Sequence, residues 1–218
     1  TNVGGSTGYW HHGCYVSSGT CQYSAYAEAA LQGTINLSNA GTGSEIQINL
    51  EWDIEGSSYD NFCVELSSNN ATWVDISSAT TATTQGCRYR SGAIPGSGYT
   101  IGGTNYGDET NAFVTLPLSI PSSYLNSGLT DIRIVVETDT NPHYGGTLDN
   151  QEGLTVNRIS IVDTNGTIID DDPLSSSNTM WHYAITSRGN NANDWKSKNF
   201  KNLGWCDGYV HGWISNNR

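Results

Sequence analysis

IQINLEWDIEGSSYDNFCVEL, residues 46–66, decides the fold. Ile46, Ile48, Leu50 and Trp52 alternate with Gln47, Asn49 and Glu51, the period of a strand with one face on a core and the other toward water. A tight acidic crossing follows through Asp53, Glu55, Gly56 and Asp60, and a second strand begins at Asn61. Carboxylates are thus crowded where two strands meet.

Outward from this crossing, NFCVELSS and ATWVDISS read as a strand pair joined around Ser68-Asn69-Asn70, residues that favour turns through their own side-chain hydrogen bonds. AFVTLPLSI and DIRIVVETD continue the sheets, and Pro117 and Pro121 put the first of these at an edge or end it early. LTVNRISIVD, a turn at Asn165-Gly166, TIID and the acidic knot Asp170-Asp171-Asp172-Pro173 close the series. The longest run of helix formers, near Tyr26–Gln32, is worth about a turn and a half, and composition leans the same way, with 25 Gly, 12 Tyr and 7 Trp against one Met. No alternation of strands with helices appears. The expected fold is all-β, an antiparallel two-sheet β-sandwich of the jelly-roll kind over residues 1–173. Residues 77–111 form a polar, glycine-rich excursion, uncommon in a compact domain unless functional, stapled or holding short strands of its own.

Beyond Pro173 the character changes. Residues 1–175 carry four Arg and no Lys against nineteen carboxylates; residues 176–218 carry five basic residues against Asp194 and Asp207, giving about −15 and +3. The segment 174–218 is therefore an aromatic, basic C-terminal extension, complementary in charge to the body and expected to pack on its own domain or a neighbour's. Trp181, Trp195, Trp205, Cys206 and Trp213 are its candidate assembly residues, and the partner they suggest is the chain itself, as a homo-polymer, or a neighbouring module. A net charge of −12 disfavours nucleic acid and anionic membranes as partners. No apolar stretch reaches 18 residues, so membrane insertion is not expected.

Five cysteines suit an oxidising, extracellular or cell-surface location. Cys14 and Cys21 flank a turn, Cys63 and Cys87 are placed to bridge a strand to a strand or loop, and Cys206 is left over. Asn36, Asn70 and Asn165 head three sequons, each beside an expected turn.

The chemistry points to a hard cation more than to catalysis. Asp53, Glu55 and Asp60 lie within eight residues, and Asp149 and Glu152 approach from the loop before the last long strand. Calcium takes six to eight such oxygens from strand-crossing loops without a dedicated motif. The alternative is a solvated acidic rim. Adjacent His11 and His12 do not suit one metal, because neighbours on a strand face opposite ways. Neither a Gly-x-Ser-x-Gly elbow nor HExxH is present, so a non-enzymatic role is expected. Tyr89, Tyr99, Tyr106 and Tyr144 are candidate stacking platforms for a polysaccharide, with loop anchoring as the plainer role.

Taken in order, Trp10, EGSSYDNFCVELSSNNATWVDIS, AFVTLPLS, DIRIVVETD and EGLTVNRISIVD resemble the MAM-like jelly-roll modules appended to secreted microbial proteins such as immune inhibitor A type metalloproteases. The resemblance covers roughly residues 8–163. It implies a calcium-bound, non-catalytic sandwich, with Glu55, Asp60 and Glu152 at the positions matching acidic ligands. Where the family ends on an aromatic and an Asp pair, this chain has Leu154 and Val156-Asn157-Arg158. The expected role is a calcium-stabilised structural or adhesive module, surface-bound or filament-forming; the alternative is a glycan-binding accessory module of a larger secreted protease or adhesin.

Overall fold

A computed structural model describes residues 8–15, 28–54, 59–77, 100–101, 104–105, 110, 112–137, 151–173, 182–185 and 195–199. In chain order the strands are β1 (Gly8–Tyr15), β2 (Glu28–Asn36), β3 (Glu45–Asp53), β4 (Asn61–Ser67), β5 (Val74–Asp75), β6 (Thr100–Ile101), β7 (Thr104–Asn105), β8 (Val114–Ser119), β9 (Leu129–Glu137), β10 (Gln151–Val162), β11 (Ile168–Pro173), β12 (His182–Ile185) and β13 (Trp195–Asn199). Among the described residues the only helical element is a 3-10 turn at Ser122–Tyr124.

The pairings are those of one long antiparallel hairpin, rolled up. β4 pairs β5, β3 pairs β8, β2 pairs β9 and β1 pairs β10, and rolling then sets β10 beside β3 and β9 beside β4. Two sheets result, β1-β10-β3-β8 and β2-β9-β4-β5. This is the jelly roll expected from the strand pattern. β11 continues the first sheet beside the far half of β10, and β6 with β7 form a small hairpin inside the long excursion. Pro117 lies in β8, the last strand of its sheet, where a missing N–H costs no ladder bond on the open side.

Alternation builds the core. β3 buries Ile46, Ile48, Leu50 and Trp52 and leaves the residues between them half-exposed. From the facing sheet come Leu31, Phe62, Val64, Leu66, Ile132, Ile134 and Val136. Trp52 and Phe62 meet across the gap with ring centroids 5.6 Å apart at 56°, a tilted contact that adds about 0.5–1.5 kcal/mol beyond area burial. One end of the sandwich is closed by Leu37, whose N–H bonds the Gly128 carbonyl, and by Ala40, whose carbonyl takes the Asn126 N–H.

Two features go beyond the sequence reading. The helix-forming run around Tyr26–Gln32 supplies the start of β2, because nine register pairs with β9 outweigh a propensity worth tenths of a kcal/mol per residue. In addition, β4 is buried on both faces along its length. The segment after it folds back: Asn70 Oδ1 accepts from Gln32 Nε2 at 2.9 Å, and Trp73 covers Arg133.

Candidate functional site

The strands that frame the acidic crossing all end at one end of the sandwich. β3 finishes at Asp53, Asp60 precedes β4, and β10 begins at Gln151-Glu152. Gly153 pairs with Asp53, so the backbone sets Glu152 one position beyond Asp53 on the neighbouring strand. In the other sheet Asn61 and Glu28 both pair with Glu137. Five carboxylate positions, Glu28, Asp53, Asp60, Glu137 and Glu152, therefore share this end. Two of them, Glu28 and Glu137, carry no local signal in the sequence. They are 109 residues apart and become neighbours only through the β2–β9 register.

The crossing is anchored on its core side. The Trp52 N–H donates to Thr110 Oγ1 at 3.0 Å, and the Thr110 N–H returns to the Trp52 carbonyl at 2.9 Å. Ile54 is buried, Asp53 is half-buried and Asp60 is fully buried. Asp53 and Asp60 are each engaged by a neighbouring group. Glu55 and Asp149 lie outside the described residues, and for Glu152 the backbone alone is described. Among the described residues no three acidic, His or Cys side chains form a ready metal cage. The donor set is all oxygen, which suits calcium or magnesium rather than zinc.

A second polar cluster lies on the outer face of the sheet β2-β9-β4, and sequence reasoning missed it. Arg133 Nε and Nη2 both reach Glu65 Oε2 at 2.6 Å, with side chains 14% and 1% exposed. The Arg133 guanidinium stacks 4.1 Å from the Trp73 ring centroid. Opposite Glu65 in register, Asp75 takes the Ser77 N–H at 2.9 Å and its hydroxyl at 2.5 Å. The only hint was a charged residue at the outward position of each of two apolar strands. On the same face Cys63 packs with Ala30 and Val135. The Cys63 sulfur belongs to a disulfide. Cys14 sits in the other sheet, while Cys21, Cys87 and Cys206 lie outside the described residues.

The three sequon asparagines, Asn36, Asn70 and Asn165, are all exposed. Asn36 ends β2 with its Oδ1 accepting from the Ser38 N–H, Asn70 takes φ +53°, and Asn165 sits in the β10–β11 turn. In that turn Asp163 Oδ1 accepts the N–H groups of Asn165 and Thr167, both at 2.8 Å. The Thr167 and Asn165 amides hold the Asp163 carboxyl below the usual range. Further along the hairpin Arg158 donates to both oxygens of Asp171. That bond, with help from Ser160, lowers the Asp171 carboxyl and raises the Arg158 guanidinium.

Of the assembly residues, Trp195 lies in β13, opposite His12 of β1; Trp181, Trp205, Cys206 and Trp213 lie outside the described residues, as do Tyr89, Tyr99, Tyr106 and Tyr144. The extension nevertheless contributes two strands to the body. β12 pairs with β2 from His182↔Gln32 to Ile185↔Ala29, and β13 pairs with β1 from Gly8↔Asn199 to His12↔Trp195. Among the described residues no helix is long and apolar enough to cross a membrane. No protein-family model matches this chain, and no curated protein is significantly similar to it.

Proposed function

We propose that this chain is a non-catalytic extracellular structural or adhesive module, stiffened by calcium at its acidic end and assembling with its own copies through residues 174–218. The observation that carries this reading is the position of the extension. One short segment supplies an outer strand to each sheet, β12 beside β2 and β13 beside β1. Such a segment bonds through its main chain to an open edge, which is the general device of strand addition between chains. The MAM-like resemblance and the charge contrast between body and extension agree with it. A disulfide at Cys63 and three exposed sequons support an oxidising, extracellular setting; Cys63–Cys87 and Cys14–Cys21 remain the proposed pairings.

Calcium is proposed at Asp53, Glu55, Asp60, Asp149 and Glu152. Asp53, Asp60 and Glu152 would join the two sheets at the crossing, and the bound ion would supply stiffness. Size-exclusion chromatography and negative-stain imaging of the full chain, against a version ending at Asp172, test the assembly. Polymers that need the extension are expected. Equal polymers without it would end the proposal, and a monomer retained on a polysaccharide column would favour the glycan-binding alternative.

A further inference from the structure

Resting on the assembly reading, we infer that the docking surface is the outer edge of β1, that its occupant in the assembly is β13 of a second copy, and that the exchange keeps the register Gly8–His12 against Trp195–Asn199.

Four observations converge on this edge. β10 pairs with β1 only from Trp10 to Tyr15, so Gly8 and Tyr9 meet their described strand partners, Asn199 and Lys198, only on the β13 side. The start of β1 is thus an acceptor that needs a donor strand. The donor is outermost in its sheet and, among the described strands, hydrogen-bonded to β1 alone, so moving it to another copy breaks one strand ladder. Its connection to β12, residues 186–194 with sequence TSRGNNAND, holds no apolar residue larger than alanine. Nine residues span up to about 30 Å when extended, enough to reach a neighbouring sandwich. The charges do not distinguish copies either: an extension of +3 is attracted to any body of −15. Exchanging an identical element between protomers replaces each lost pairing with the same one, which makes it a low-cost route to assembly. Because β12 stays on its own β2 while β13 leaves, each copy both donates and accepts one strand, and the contact can propagate as a chain.

The test uses copies that cannot form the link internally. All carry Cys206→Ser. One, labelled with ¹⁵N, carries His11→Cys; the other, unlabelled, carries Lys196→Cys, the residue directly opposite in register. After co-refolding and oxidation, the 11–196 disulfide is sought by mass spectrometry in the polymer and monomer fractions. The expected result is a mixed-label linked peptide in the polymer and none in the monomer. Polymers without that peptide, together with a His11→Cys/Lys196→Cys double variant that closes within one chain, would overturn the exchange while leaving assembly standing. A chain that is monomeric by light scattering at every concentration overturns the assembly reading itself. If the first pair does not fold, Tyr9→Cys with Lys198→Cys asks the same question, with the same outcomes deciding it.

Discussion

A methyl group on Gly43 would sit 2.5 Å from Thr164 Cγ2, and the backbone there has φ +85°. Gly43→Ala therefore meets two separate obstacles, a left-handed conformation costing about 1–2 kcal/mol and a clash with the β10–β11 turn. Thr164→Ser removes the offending methyl and nothing else. The expected outcome is a lowered melting temperature for Gly43→Ala and partial recovery in the double variant; full recovery would assign the whole cost to the clash. The Glu65–Arg133 pair makes a sharper case, because Glu65 is only 1% exposed. Truncating one partner leaves the other charge buried, so Glu65→Ala should cost about 3–5 kcal/mol in urea unfolding. Glu65→Leu with Arg133→Met should cost far less, since apolar replacements of similar volume at buried pairs are often neutral. If the double variant is as unstable as the single, the Trp73 stacking lost with the guanidinium costs as much as the unpaired charge.

At the scale of elements, the β10–β11 hairpin is where pH acts. Asp163 and Asp171 both sit below the ordinary carboxylate range in the folded chain. Their support is complete above the unfolded value, about 3.9, and is lost as pH falls through the lower folded value. Hydrogen-exchange protection of the Asn165 and Thr167 amides should hold from pH 7 to about 4 and fall below it, whereas Asp163→Ala should lack that protection throughout. Protection unchanged at pH 2 would mean the turn does not depend on the carboxylate. This hairpin was legible in the sequence because its signals are local: Asn165-Gly166 supplies the turn, with Gly166 at φ +78°, and alternation supplies the strands. β3, β8 and β9 were legible for the same reason. β2 was not, since Glu28–Gln32 has helix-forming composition and its strand state comes from partners 101 to 109 residues away in sequence. The outer face of β4 was hidden likewise: what buries Glu65 is Arg133, 68 residues on.

For the whole molecule, the question is why an acidic protein places further carboxylates where its strands converge. Of the site, the sequence displayed Asp53, Glu55 and Asp60, which are close in the chain, but could not display Glu28 or Glu137, which the roll brings to the same end. Like charges directly opposite on paired strands are destabilising, and Glu28 faces Glu137 in register. Either a cation offsets that repulsion, or hydrogen bonds within the chain do, or it is tolerated at a solvated rim. Neutralising Asp53 and Asp60 to Asn separates the three by sign. With a calcium site, the parent melts higher in calcium than in chelator, by about 2.7 kcal/mol at a hundredfold excess over Kd, and the variant loses that response. With a solvated rim, calcium changes nothing and the variant melts higher than the parent in both buffers, because repulsion has been removed. With internal hydrogen bonds holding the buried Asp60, the variant melts lower in both. Only the first pattern makes the crossing from Asp53 to Asp60 a metal-locked joint between the sheets, and only then would calcium withdrawal loosen the end where β1, β3 and β10 meet.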